Sequence, residues 1–284
     1  MSNPVFGRTA AFSTKGGVTY PESQSGNQVG LYPSAQGAYT GAVPPSAEQL
    51  SQMYQAPAAG PLQTGRLTYE DVLVKTVGML ALTIVAGAAT WALMPGLWMV
   101  GMGVGFVLGL VNVFKKQPSP ALICLYAVAE GVFLGGISRY YESVWNGIVL
   151  QAVIGTLGVF LVMLLLFRSG KVRATGRAAK IMLVAMAGYM VFSLVNAGLV
   201  RGGVIDDWGA YSASYKGFPI GIIISIVAIL LASYSFVLDF DSIKTGVERG
   251  APAKMAWTAA FGLLMTLVWL YLEILRMLAI LRDS

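Results

Sequence analysis

From about residue 72 onward the chain alternates long apolar runs with short polar breaks. The runs fall near 72–93, 96–114, 119–138, 145–167, 179–200, 217–241 and 256–281. Each approaches the ~20 residues that a helix needs to cross ~30 Å of hydrocarbon. The pattern predicts an all-α, polytopic bundle of seven transmembrane helices over residues 67–284. Thr68-Tyr69-Glu70-Asp71 opens it, with Thr68 placed to cap the first helix and Asp71, three residues on, approximating a capping box. Met94-Pro95-Gly96 forms a tight turn between the first two runs.

Residues 1–66 are different. They are rich in Gly, Ser, Ala, Pro, Gln and Tyr, as in Tyr32-Pro33-Ser34-Ala35-Gln36-Gly37, and contain no apolar run. Such a segment cannot bury enough surface to offset its ordering entropy, so it reads as a disordered tail, either inert or a docking site. It lacks the basic-then-apolar pattern of a signal peptide.

Composition sharpens this picture. The chain is 56% hydrophobic and 11% charged, against about 25% charged in a soluble protein. The net charge of +6 does not indicate nucleic acid, because the basic residues lie in short loops between apolar runs, where they set topology. With the N-terminus in the cytoplasm, 14 of the 19 lysines and arginines fall inside and 5 outside. The loop carrying Arg168, Lys171, Arg173, Arg177 and Lys180 is then cytoplasmic, and the protein is expected in the inner (cell) membrane. Trp91, Trp98, Trp145 and Trp208 stand near span ends, as an interfacial belt requires.

Cys124 is the single cysteine and there is no histidine, which removes an internal disulfide, histidine general bases and the zinc-protease motif. There is no nucleophile elbow and no phosphate-binding loop. An intramembrane aspartyl protease would need a Gly-x-Gly-Asp pattern that the stretch after Asp241 lacks. The chain is expected not to be an enzyme and to need no cofactor. The thirteen methionines read as packing filler.

Gly101, Gly105 and Gly109 lie four apart on the second span, and Gly131 and Gly135 repeat the spacing on the third. Small residues at that spacing let helices approach closely, within the bundle or between copies.

The informative exceptions to apolarity are Glu130, Asp239, Asp241, Glu273 and Arg276. An ionised carboxylate in lipid costs at least ~2.5 kcal/mol, so such residues avoid lipid and mark ion routes or internal partners. Glu130 lies about 16 Å into the third span, near the midplane. It is either a proton- or cation-linked site or a carboxyl bonded to a neighbouring helix. Asp239 and Asp241, two apart near the cytoplasmic boundary, point to different sides of a helix. Glu273 and Arg276, three apart on the last span, can pair.

Three stretches resemble the Bax inhibitor-1 family, the YccA-like or TMBIM membrane proteins. Tyr126-Ala127-Val128-Ala129-Glu130-Gly131-Val132-Phe133-Leu134-Gly135 is similar to its Glu-Gly segment. Phe236-Val237-Leu238-Asp239-Phe240-Asp241-Ser242 is similar to its aspartate at the end of the sixth span. Leu270-Tyr271-Leu272-Glu273-Ile274-Leu275-Arg276 is similar to its Leu-Tyr-Leu-Asp stretch, with glutamate in place of aspartate. The resemblance covers roughly residues 70–284. It implies a central last helix and a pH-sensitive di-acidic site between the last two helices that governs calcium leak. Asp241 would be the first carboxylate, with Asp239 its rival, and Glu273 the second, binding calcium only transiently. The implied partners are the lipid bilayer, calcium or protons, and other membrane proteins; the oligomeric state is left open. The alternative is a non-transporting regulatory protein that binds a membrane protease or stress-response partner.

Overall fold

The computed structural model describes residues 65–205, 209–215 and 217–283. The disordered tail expected over residues 1–66 lies almost wholly outside them, as does Trp208. Among the described residues seven α-helices follow in order: α1 (Tyr69–Leu93), α2 (Trp98–Phe114), α3 (Pro120–Val144), α4 (Ile148–Arg168), α5 (Gly176–Arg201), α6 (Ile220–Glu248) and α7 (Met255–Asp283). All are long and apolar enough to cross a membrane, α2 together with the turn Pro95–Leu97 that precedes it. A 3₁₀ turn at Pro95–Leu97 joins α1 to α2, and another at Gly209–Ser212 precedes a two-residue antiparallel ribbon (β1, Ser214–Tyr215; β2, Phe218–Pro219) before α6.

Local chemistry sets the helix ends. The Thr68 hydroxyl accepts the Asp71 N–H at 3.0 Å and donates to the Asp71 carboxylate at 2.8 Å, satisfying an end group that the helix itself leaves unpaired. Pro120 sits in the first turn of α3, where its missing N–H costs nothing. Between α6 and α7, Gly250 takes a left-handed conformation (φ 64°). Its N–H donates to the Val247 carbonyl and that of Ala251 to the Gly246 carbonyl, which ends α6. The entry to α1 docks on this hairpin: Leu67 N–H donates to Ala251 O at 2.6 Å and Ala253 N–H to Gly65 O at 2.8 Å.

α7 is the centre, packed by α1, α3, α4 and α6. Lipid tails are as apolar as leucine, so helix association in a membrane rests on close packing and polar contacts. The sequence supplies both. Ala256, Ala259 and Ala260 on α7 are fully buried and let its neighbours approach. The glycine faces work within the bundle: Gly101, Gly105 and Gly109 are buried against α3, and a Cβ at Gly135 of α3 would collide with the Gly87 carbonyl of α1. Phe160 of α4 packs edge-on against Phe236 and tilted against Phe240, which stack on each other along α6. By contrast α5 is the least enclosed helix, with Ala179 its one fully buried residue.

Candidate functional site

The acidic residues fall into three separate settings. The first lies where α6 meets α7. Asp239 is 0% exposed. Thr266 of α7 donates its hydroxyl to Asp239 Oδ2 at 2.8 Å and also stands 3.1 Å from the Gly262 carbonyl one turn below. The two helices run antiparallel, so this contact fixes their register.

The second setting lies seven residues further along α7, about 10 Å toward its C-terminal end. Glu273 is 2% exposed. Its Oε1 accepts from Tyr189 Oη of α5 at 2.6 Å and from Trp269 Nε1 at 3.2 Å. Its Oε2 stands 3.3 Å from Arg276 Nη1, an ion-pair contact without hydrogen-bond geometry. Arg276 Nη1 donates to Tyr189 Oη at 3.2 Å and Tyr211 Oη at 2.6 Å, and its guanidinium lies 4.7 Å from the Tyr211 ring centre. Tyr211 is positioned from α5: Asn196 Oδ1 accepts the Ala210 N–H at 2.7 Å, which anchors the 3₁₀ turn carrying Tyr211. Buried Glu273 and part-buried Arg276 therefore form an ion pair lined by two tyrosines and a tryptophan. This cluster is a main polar attachment of α5 to the bundle.

The third setting is Glu130 on α3. It hydrogen-bonds Tyr126 one turn below and faces α2, where its Oε1 lies 3.1 Å from the position a Cβ would take at Gly105. Gly105 leaves the space that the carboxyl fills.

Asp241 stands apart from all three. It is half-buried, and its charged neighbours are Lys244 and Glu248 on α6 itself. The expectation that Asp241 and Glu273 form one di-acidic site does not survive this geometry. With Asp239 level with Thr266, Asp241 lies two residues down α6 and Glu273 seven residues up α7. That separates them by about 13 Å along the helix axes. The physical reason is the length of α6, which continues two turns past Asp241 to Glu248 before the hairpin. Asp239, the rival, is the carboxylate that faces α7. Among the described residues no group of three or more acidic, cysteine or histidine side chains is placed to hold a metal ion.

Sequence reasoning missed Thr266, Trp269, Tyr189 and Tyr211. Two signals were present. Thr266, Trp269, Glu273 and Arg276 follow the three-to-four-residue spacing of one helix face. Tyr189 lies in the middle of α5, away from the interfacial levels where membrane tyrosines concentrate.

Comparison with known proteins agrees with the architecture. A search of curated proteins returns no match to the chain. The profile of the family described as Bax inhibitor 1 like matches residues 3–283. It therefore takes in the N-terminal segment that the three motifs leave out. With seven spanning helices, a central α7 and a match over nearly its whole length, the chain belongs to the Bax inhibitor 1 like family and is a multi-pass membrane protein.

Proposed function

We propose that this protein is a passive, pH-gated cation leak, with calcium as the permeant ion, and that its gate is the Asp239–Thr266 contact. The observation that carries the reading is the position of one hydroxyl between two acceptors, 2.8 Å from Asp239 Oδ2 and 3.1 Å from Gly262 O. A hydroxyl has a single proton to donate. When Asp239 is ionised, Thr266 must donate to the carboxylate. When Asp239 is protonated, its own O–H donates to Thr266, whose proton then goes to Gly262. Both protonation states make a bond, but only the ionised one puts a full charge into the α6–α7 contact. A charge in hydrocarbon costs at least ~2.5 kcal/mol where neighbouring groups or water do not offset it. Ionisation thus favours a hydrated, parted interface, and protonation favours a closed one. The carboxylate is a transient ligand for a passing cation and not a fixed calcium site. No catalytic step is part of this reading.

The orientation proposed is the one from loop charge, with the N-terminus cytoplasmic in the inner membrane. In a Cys124→Ser background, a cysteine at Ser212 then labels with an impermeant reagent added to intact cells, and one at Thr175 does not. The reverse pattern inverts the orientation.

Calcium entry into dye-loaded liposomes, measured against pH, tests the activity. Flux should rise with pH in the parent. Asp239→Asn keeps size and hydrogen bonding but cannot ionise, so its flux should be low and independent of pH. Absence of flux at every pH overturns the leak and favours the regulatory, partner-binding alternative.

A further inference from the structure

We infer that a lateral groove between α1 and α4 holds one acyl chain of an anionic phospholipid, with the headgroup on Arg139. α1 and α4 both pack on α7 but scarcely touch each other, and they leave a cleft of about 530 Å³ floored by α3 and α7. Its lips are open to the membrane: Ile84 of α1 is 67% exposed and Leu157 of α4 is 56% exposed.

The lining selects the occupant. It carries four hydroxyls, and each makes a hydrogen bond within the protein. Ser138 and Tyr271 bond each other at 2.7 Å, Thr83 reaches the carbonyls of Met79 and Ala127, and Thr156 reaches that of Ala152. These bonds tie the hydroxyls to the protein, and the remaining lining is aliphatic, glycine or aromatic, so a buried water would find few of the two to four polar partners it needs. The space therefore suits hydrocarbon.

Length agrees. The lining runs from Leu80 to Trp91 on α1 and from Val149 to Phe160 on α4. Each stretch spans about 16 Å, the depth of one leaflet of a ~30 Å hydrocarbon core.

Charge completes the site. At the Trp91 end, exposed Arg139 of α3 stands with its guanidinium 5.6 Å from the Trp91 ring centre. At the same end of α4, Arg282 bonds Asn146 O and Gln151 Oε1. Neither arginine is in an ion pair among the described residues. The neighbouring Glu142 accepts the N–H groups of Gly147 and Val149. A chain in the groove thus emerges beside two cations at headgroup level, which favours a lipid of net negative charge.

Trp91 reports the occupant. The full chain is placed in vesicles containing increasing fractions of dibromo-acyl phosphatidylglycerol or dibromo-acyl phosphatidylcholine. The signal of Trp91 is isolated by subtracting Trp91→Phe. Phosphatidylglycerol should half-quench Trp91 at a fraction about fivefold lower than phosphatidylcholine, the preference worth one arginine near an anionic surface. Arg139→Gln should bring the two lipids together. Val153→Phe with Leu157→Phe, which fills the groove from its exposed lip, should remove the Trp91-specific quenching by both. Equal quenching by the two lipids in the parent means ordinary annular contact and overturns the proposal. So does a preference that survives Arg139→Gln, or quenching that survives the filled groove.

Discussion

Asp239 and Glu273 are both carboxylates buried on the α6–α7 axis, about 10 Å apart along it, yet their surroundings differ in kind. Glu273 faces a cation and two strong donors, Tyr189 and Trp269, with a second tyrosine holding the cation from the other side. Asp239 meets α7 through the hydroxyl of Thr266, a neutral group able both to give and to accept. The first setting fits a fixed charge, and the second is the one to which the proposed change of charge is assigned. A carboxylate in a membrane helix is therefore better judged by what faces it than by its depth.

The largest expected effect comes from removing the cation that faces Glu273. Arg276→Met leaves Glu273 buried without its counter-charge and should cost about 3 kcal/mol in detergent unfolding, with Glu273→Gln in the same chain recovering most of it. No recovery would mean that Arg276 acts by packing alone. Next is Thr266→Val, which removes the hydroxyl facing Asp239 and should cost about 1–3 kcal/mol. It should also shift the pH midpoint of calcium flux, which Arg276→Met with Glu273→Gln should leave in place. If both alter the midpoint equally, the two levels are not distinct. Tyr189→Phe removes one donor to Glu273 and should cost about 1 kcal/mol, and faster amide hydrogen exchange should be confined to α5. The smallest effect belongs to Asp241→Asn. This half-buried side chain should change stability by less than ~0.5 kcal/mol and leave the pH response intact. A flattened response there, with Asp239→Asn normal, would move the switch two residues along α6.

Much of the fold was legible because bilayer thickness imposes a length on every apolar run. Breaks at Met94-Pro95-Gly96 and in the basic stretch 168–180 separated the helices, and Thr68 with Asp71 marked the first of them. Helix ends were less legible. α3 runs on to Val144 and α6 to Glu248, past residues 138 and 241, because polar residues such as Arg139 and Lys244 extend a helix once it leaves hydrocarbon. The Glu273–Arg276 pair could be read from three-residue spacing, a local property of a helix.

The sequence by itself determined seven apolar helices, their boundaries to within two turns, the glycine faces of α2 and α3, and which acidic side chains would need partners. Tertiary structure alone decided who those partners are. Whether Asp241 or Asp239 meets α7 depends on how far α6 runs before turning back, and whether Glu273 meets α5 depends on where Tyr189 comes to rest. Both follow from helix register across long sequence separations, which short-range patterns of polarity do not encode.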